Sequence, residues 1–177
     1  MKQKKRKQNF VHLHGHSCYS LGDALPTPQA IIERASELNM PAVALTDHGY
    51  AWGLGEFFLA AMKMAEMSDS ALEDANAVRK TNKQPILKSR PKPILGMEAY
   101  YASGFRQPPS TGNSRNSRNY HMVLLVKNRT GWAHLNRMHF QAQRDGFYYK
   151  PRVDMELLEE YHSGLIAMSA CMACLLY

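Results

Sequence analysis

A short stretch near the start of the sequence, HLHGHSCYSLGD at residues 12–23, holds three histidines and an aspartate. The whole chain of 177 residues has only eight histidines, so this stretch concentrates side chains that can bind a metal ion. His12 and His14 lie two residues apart on a predicted strand, which places their side chains on one face, roughly 7 Å apart. A single pair at this spacing also arises by chance. The alternative is that these histidines are hydrogen-bonded parts of an ordinary core.

The elements that must position these residues alternate between strands and helices along the chain. Short apolar or alternating segments predict five strands, at residues 10–14, 42–46, 93–102, 121–128 and 164–170. Helices are predicted from Pro28 with Thr27 as N-cap, from Leu54, over residues 131–143, and after Asp154 as a further N-cap. The polar and basic stretch at 68–92 is predicted to extend the second helix and then fray into a loop. This order favours a parallel sheet or barrel.

Residues of metal-binding types recur near the ends of these predicted strands. Asp47 and His48 follow the second strand, Glu98 lies late in the third, and Cys171 follows the fifth. The carboxyl ends of parallel strands meet on the functional face of α/β folds, so these side chains are expected to converge. His121 is the exception, because it begins its predicted strand. Nitrogen and carboxylate ligands in one pocket suit zinc, manganese or iron, which can activate water and stabilise a phosphate ester under attack.

Positive charge is concentrated in three segments of the chain. The net charge is +7, but residues 1–8, 79–92 and 102–119 together carry +14 and the remainder carries −7. We expect residues 1–9 to form a basic tail. Such segments can contact the phosphates of a nucleic acid, or they can simply be solvated and keep loops flexible. They lack the interleaved aromatic residues typical of grooves that bind single strands.

The composition also indicates where the protein works. The sequence has no run of 18 apolar residues, and its basic start is not followed by the apolar stretch of a secretory signal. Its cysteines, Cys18, Cys171 and Cys174, are odd in number, which argues against a disulfide framework. We therefore expect a soluble, cytoplasmic protein with reduced thiols.

Taken together, the motifs resemble the PHP (polymerase and histidinol phosphatase) domain family. The resemblance is to the branch found at the N-terminus of bacterial replicative DNA polymerase III alpha subunits. The blocks that carry it are FVHLHGHSCYSLGDAL, MPAVALTDHGYAWGLGEFFLAA, KPILGMEAYYA, YHMVLLVKNRTGWAHLNRM and GFYYKPRVDMELLEEYHSGLIAMSAC. They follow one another in the family's order and cover nearly all of residues 10–173. GFYYKPRVD and LLVKN in particular are typical of the polymerase branch.

The resemblance implies an α/β fold, a partial distorted (β/α)7 barrel, with up to three divalent metal ions of zinc, manganese or iron. It places the metal ligands on His12, His14, Asp23, His48, Glu98, His121 and Cys171. Asp47 would orient one of these ligands from behind. The implied activity is that of a metal-dependent phosphoesterase or a 3′–5′ exonuclease within a DNA polymerase. The implied partners are DNA and other replisome subunits, with no membrane.

The sequence departs from the family pattern at its end. The family's Asp-x-His motif is missing, since the sequence stops at Tyr177, so residues 10–177 are expected to be an incomplete PHP domain, a fragment of a longer polymerase. Two alternatives stay open at this point. One is a stand-alone phosphatase similar to histidinol-phosphate phosphatase, and the other is a non-catalytic module that braces the polymerase.

Overall fold

A computed structural model describes residues 10–103 and 119–170. Along these residues the elements are α1 Pro28–Glu37, β1 Ala42–Leu45, α2 Leu54–Glu66, α3 Asp69–Thr81, β2 Lys92–Ala102, β3 Asn119–Val126, α4 Arg129–Arg144, β4 Phe147–Tyr148, β5 Lys150–Val153, α5 Met155–Tyr161 and β6 Leu165–Ser169. The predicted α/β class is confirmed. Cys171 lies outside the described residues. No described helix is both long enough and apolar enough to cross a membrane.

The sheet is organised around β2, its longest strand. β1 runs parallel to the first part of β2, with Ala42 opposite Lys92, and β5 runs parallel to its last part, with Tyr100 opposite Arg152. β3 pairs with β2 in the antiparallel direction and occupies its other edge, and β6 is antiparallel to β3. β1 and β5 therefore lie along the same edge of β2, β1 beside its first residues and β5 beside its last. This branched sheet agrees with the predicted partial, distorted barrel.

The prediction that all strands run parallel is wrong for β3. Parallel neighbours need a crossover connection, usually a helix, whereas antiparallel neighbours can be joined by a loop. The sequence between β2 and β3 has no helical pattern, so this connection matches the antiparallel case. The predicted strand at residues 10–14 is also reduced, to a single bridge between His12 and Val43. The short hairpin of β4 and β5 was not predicted.

The helices begin where side chains can cap them. Thr27 accepts a hydrogen bond from the backbone N–H of Ala30, and Asp154 caps α5 in the same way, as predicted. Ser68 caps α3, and Met67 before it is extended. α3 is therefore a separate helix, and the prediction that 68–92 extends the second helix is wrong.

Cations of the basic stretch at 79–92 take part in the fold. The Nη1 of Arg79 on α3 lies 3.1 Å from Glu33 Oε2 on α1, and its Nη2 pairs with Glu37. Arg90 Nη2 lies 2.7 Å from Asp69 Oδ1 at the start of α3. These two arginines hold α3 against its neighbours, so they are not simply solvated loop charges.

The main core lies between the helices and one face of the sheet. Its fully buried members include Leu45, Phe57, Leu135, Met138 and Leu157, from one strand and three helices. Burying a side chain of this size contributes about 1.5–3 kcal/mol relative to leaving it exposed. Side chains alternate along β2, so Met97 and Ala99 enter this core while Glu98 and Tyr100 point to the opposite face. That opposite face carries the polar residues of interest.

Candidate metal centre

The direction of β3 brings His121 to the polar cluster. His121 lies near the start of β3, opposite Tyr100 near the end of β2. Because the two strands are antiparallel, the beginning of β3 lies beside the carboxyl end of β2. His121 Nδ1 is 2.8 Å from Glu98 Oε1 as a result. The apparent exception in the sequence is thus explained by strand direction and not by an error in the strand's boundary.

Glu98 lies at the centre of this cluster and is only 1% exposed. Its Oε2 is 2.6 Å from His14 Nε2, 3.0 Å from His16 Nε2 and 3.6 Å from His48 Nδ1. Burial by itself raises the pKa of Glu98, but hydrogen bonds from His16 and His14 and the charge of His48 outweigh it, so the pKa falls to about 2. Glu98 is therefore ionised at neutral pH, which is the form that binds metal.

Asp23 closes the cluster on its solvent side. Its Oδ2 lies 3.5 Å from His48 Nε2 and 4.0 Å from His16 Nε2, and its side chain is 53% exposed. Three overlapping groups, each with potential ligand atoms within 4.8 Å of one another, together form what we call the ligand cluster. Its members are His14, His16, Asp23, His48, Glu98 and His121.

The environment of His48 fits a bound cation. His48 Nδ1 is buried and has no hydrogen-bond partner among the described residues. Leaving such an atom unsatisfied costs about 1–3 kcal/mol, a cost that a metal ion bound there removes. Burial also lowers the pKa of His48, which favours the neutral ring that metals bind. Imidazole nitrogens and carboxylate oxygens are donors for zinc, manganese and iron, so the donor set fits these ions.

A buried hydrogen-bond network supports the cluster from behind. Asp47 is fully buried and accepts hydrogen bonds from the backbone N–H of Ser17 at 2.7 Å and from the hydroxyl of Ser20 at 2.8 Å. Because the Ser20 hydroxyl donates to Asp47, its oxygen is free to accept from the backbone N–H of His48 at 3.1 Å and from His16 Nδ1 at 3.2 Å. Asp47 thus reaches His16 through Ser20.

This network determines which nitrogen of His16 faces the cluster without a proton. With its Nδ1 donating to Ser20, neutral His16 has a bare Nε2 at 3.0 Å from the Glu98 carboxylate. Two acceptors at that distance need a proton or a metal ion between them. Burial lowers the pKa of His16, but the hydrogen bond and charge of Glu98 outweigh burial and raise it. The same attraction for positive charge favours a bound cation.

The structure brings together most of the ligands implied by the sequence, but not His12. His12 pairs with Val43 near the start of β1, and its ring contacts Phe10 at 4.7 Å between centroids. The cluster lies beyond the carboxyl end of β1, where Thr46 N–H bonds the carbonyl of Gly15. His12 therefore lies two residues before His14 along the chain, too far from the carboxyl end of β1 to join the cluster.

His16 is the cluster member that sequence reasoning missed. The same two-residue spacing that pairs His12 with His14 also pairs His14 with His16 in HLHGH. The pattern alone therefore contains a signal for His16. Choosing between the two pairs requires the register of this segment against β1.

Comparison with known proteins places these residues in a family. The model of the PHP domain family matches residues 12–176. DNA polymerase III subunit alpha of Aquifex aeolicus is 35% identical over 170 residues, which cover 93% of this chain and 12% of that protein. The same subunit of Thermus aquaticus is 34% identical over 168 residues, covering 94% of this chain and 12% of that protein. The chain thus spans about 12% of the length of these relatives.

A solved structure shows a weaker likeness. It is a candidate metal-dependent phosphoesterase from Bifidobacterium adolescentis, with a TM-score of 0.43 and 17% identity. The match covers 76% of this chain and 33% of that one. A likeness at this level supports no conclusion about activity.

Proposed function

The chain belongs to the PHP domain family, and from this premise we propose that its ligand cluster holds divalent metal ions and that the site hydrolyses phosphoesters. The observation that carries the proposal is the buried, ionised Glu98 in contact with four histidine rings. Zinc, manganese or iron ions in such a site activate water and neutralise the charge of a phosphate. In this proposal Cys171 is a further ligand.

The protein's own residues prepare the site for this chemistry. Ser20 holds the proton of His16 on Nδ1, so that Nε2 faces the cluster. Tyr100 is buried beside the site, with its ring stacked on His48 at 5.8 Å and in edge contact with His121 at 5.1 Å. This ring excludes water from one side and fixes both imidazoles. The side that carries the exposed Asp23 is left open for a substrate.

The identity of the relatives favours a role in DNA replication. Because those that match are named DNA polymerase III subunit alpha, we propose that the chain acts as the PHP part of such a polymerase, with DNA and replisome subunits as partners. The finer form of the proposal is a 3′–5′ exonuclease acting on DNA. The alternative is a module that binds metal only to stabilise its fold, and the experiment must distinguish this module from an exonuclease.

The first experiment measures metal content and hydrolysis together. The purified chain is dialysed against metal-free buffer and its zinc, manganese and iron are measured by elemental mass spectrometry. We expect retention of about two equivalents, as in sites with paired ions, and metal-dependent hydrolysis of bis-p-nitrophenyl phosphate. Retained metal without hydrolysis would support the structural module. A chain that takes up no metal even when it is supplied would contradict the proposal.

A pair of histidine variants tests which residues hold the metal. His16→Ala is expected to weaken metal binding by more than the ~10–100-fold typical of supporting residues, because it removes a direct ligand. His12→Ala is the matched control and is expected to leave binding unchanged, since His12 lies outside the ligand cluster. Isothermal calorimetry with zinc measures both. Equal losses in the two variants would show that the assignment is wrong.

The supporting network gives a second prediction. Ser20→Ala removes the hydroxyl that links Asp47 to His16 and to the backbone of His48. We expect metal affinity to fall ~10–100-fold and the free energy of unfolding to fall by about 1–3 kcal/mol, since Asp47 and the His48 N–H lose a buried partner. Zinc titration and urea unfolding measure the two effects. Ser163→Ala, at an exposed turn, is the control, and an equal response from it would rule out the network.

A further inference from the structure

A pair of stacked aromatic rings, one half-buried and one exposed, lies next to the ligand cluster. Tyr50 follows His48 by two residues, and its ring stacks on Trp52 with centroids 4.1 Å apart and planes at 28°. Trp52 is 58% exposed. A tryptophan that served only to fill the core would be covered, whereas here one neighbour is a ring and much of the indole faces solvent. The proposed phosphoesterase chemistry makes no use of this pair.

The loop that carries the pair is held firmly against the site. The N–H of Gly49 donates to the backbone carbonyl of Glu98 at 2.8 Å, and Gly49 has a positive φ of +65°. A Cβ at Gly49 would lie 2.8 Å from the Tyr100 ring, so only glycine fits this turn. At the other end of the loop, Gly53 packs against the Asp47 carboxylate. The two rings are therefore positioned by the same loop that delivers His48.

A cation lies on the same side of the site. The Nζ of Lys150 is 5.2 Å from the centroid of the Tyr100 ring. A Cβ at Gly49 would lie 2.9 Å from Cγ of Pro151, so the residue that follows Lys150 packs against the loop that carries Tyr50 and Trp52. A flat aromatic surface beside a cation is the combination that binds single-stranded nucleic acid, with bases on the rings and phosphates on the charge.

We propose that Tyr50 and Trp52 form a stacking platform that binds a nucleobase of single-stranded nucleic acid beside the ligand cluster. This inference rests on the proposed function, because the platform would bring the phosphodiester next to the stacked base to the proposed site of hydrolysis. It also narrows the substrate class. A small phosphomonoester without a base gains nothing from the platform, whereas an oligonucleotide gains affinity from it.

Tryptophan fluorescence tests the platform directly. The chain has two tryptophans, Trp52 and Trp132, so Trp132→Phe leaves Trp52 as the only one. We expect a short oligothymidylate to quench the fluorescence of this variant, because a stacked base contacts the indole. The Trp52→Phe variant, which retains only Trp132 on α4, is expected to show no quenching. An abasic oligomer of equal length carries the same charge without bases and is also expected to have no effect.

The fluorescence anisotropy of a labelled oligothymidylate measures how much binding affinity the platform contributes. Trp52→Ala is expected to weaken binding roughly tenfold, the range for loss of one base stack, while Trp132→Phe leaves it unchanged. All titrations contain a chelator, so they do not depend on hydrolysis. Quenching of Trp52 in a protein that hydrolyses no phosphoester would support the proposed platform and contradict the proposed phosphoesterase activity. Absence of quenching, or equal quenching by the abasic oligomer, would overturn the platform whatever the activity.

Discussion

Glu98→Gln is expected to abolish the retention of divalent metal and, with it, any phosphoester hydrolysis. Glutamine has nearly the same size as glutamate, so the change removes the charge and leaves the shape. The carboxylate contacts four imidazole rings, and its pKa of about 2 keeps it ionised across the physiological range. Without that charge, Asp23, which is exposed, would be the only carboxylate left in the ligand cluster as described to balance a dication.

The expected loss in metal affinity exceeds about 100-fold, which is the upper end for residues that only support a ligand. Zinc calorimetry and elemental mass spectrometry measure it. Glu73→Gln, on the exposed surface of α3, is the matched control for the same chemical change and is expected to bind metal normally. Near-ultraviolet circular dichroism of the metal-free proteins shows whether Glu98→Gln still folds. A folded Glu98→Gln protein with unchanged affinity would mean that the metal binds elsewhere.

Gly131→Ala is expected to lower the free energy of unfolding by about 3 kcal/mol or more. Gly131 lies in the first turn of α4, where its N–H donates to the capping side chain of Asn128 at 3.0 Å. A Cβ there would overlap the carbonyl oxygen of Gly164 and lie 2.5 Å from its carbonyl carbon. That carbonyl cannot retreat freely, because it accepts a hydrogen bond from Lys127 at 2.9 Å just before β6.

Gly55→Ala supplies the control for this prediction. Gly55 is in the first turn of α2, and a Cβ there meets nothing within 4 Å. Alanine is the better helix former, so this variant is expected to be more stable than the native chain by about 0.5 kcal/mol. Urea unfolding of both variants measures the difference. Similar stabilities for the two would show that α4 does not pack on Gly164 as described.

Local patterns in the sequence predicted the parts of the fold that local chemistry decides. Thr27 and Asp154 cap helices as expected, since a cap needs only its own side chain and the next turn. The strands at 42–46, 93–102 and 164–170 were also located by their short apolar runs. The position of α3 was missed because Ser68, a capping residue, was included in the preceding helix.

Features that depend on long-range pairing were harder to predict. The direction of β3 decides whether His121 reaches Glu98, yet nothing in the strand's own residues encodes that direction. Only the lack of a helical pattern in the sequence before it favours the antiparallel case. The choice between His12 and His16 likewise depends on the register of residues 12–16 against β1. That register is set by contacts between segments about 30 positions apart in the chain, for which periodicity carries no information.

The ligand cluster also has a consequence for the order of folding events. The hydrogen bond between His14 and Glu98 joins residues 84 positions apart. Contacts of this separation require a large loop to close, so they form slowly compared with the caps and helices. We therefore expect the cluster to be among the last parts of the domain to assemble after dilution from denaturant. Competence to bind zinc should consequently appear with the slowest refolding phase, making the ion a probe for completion of the native topology.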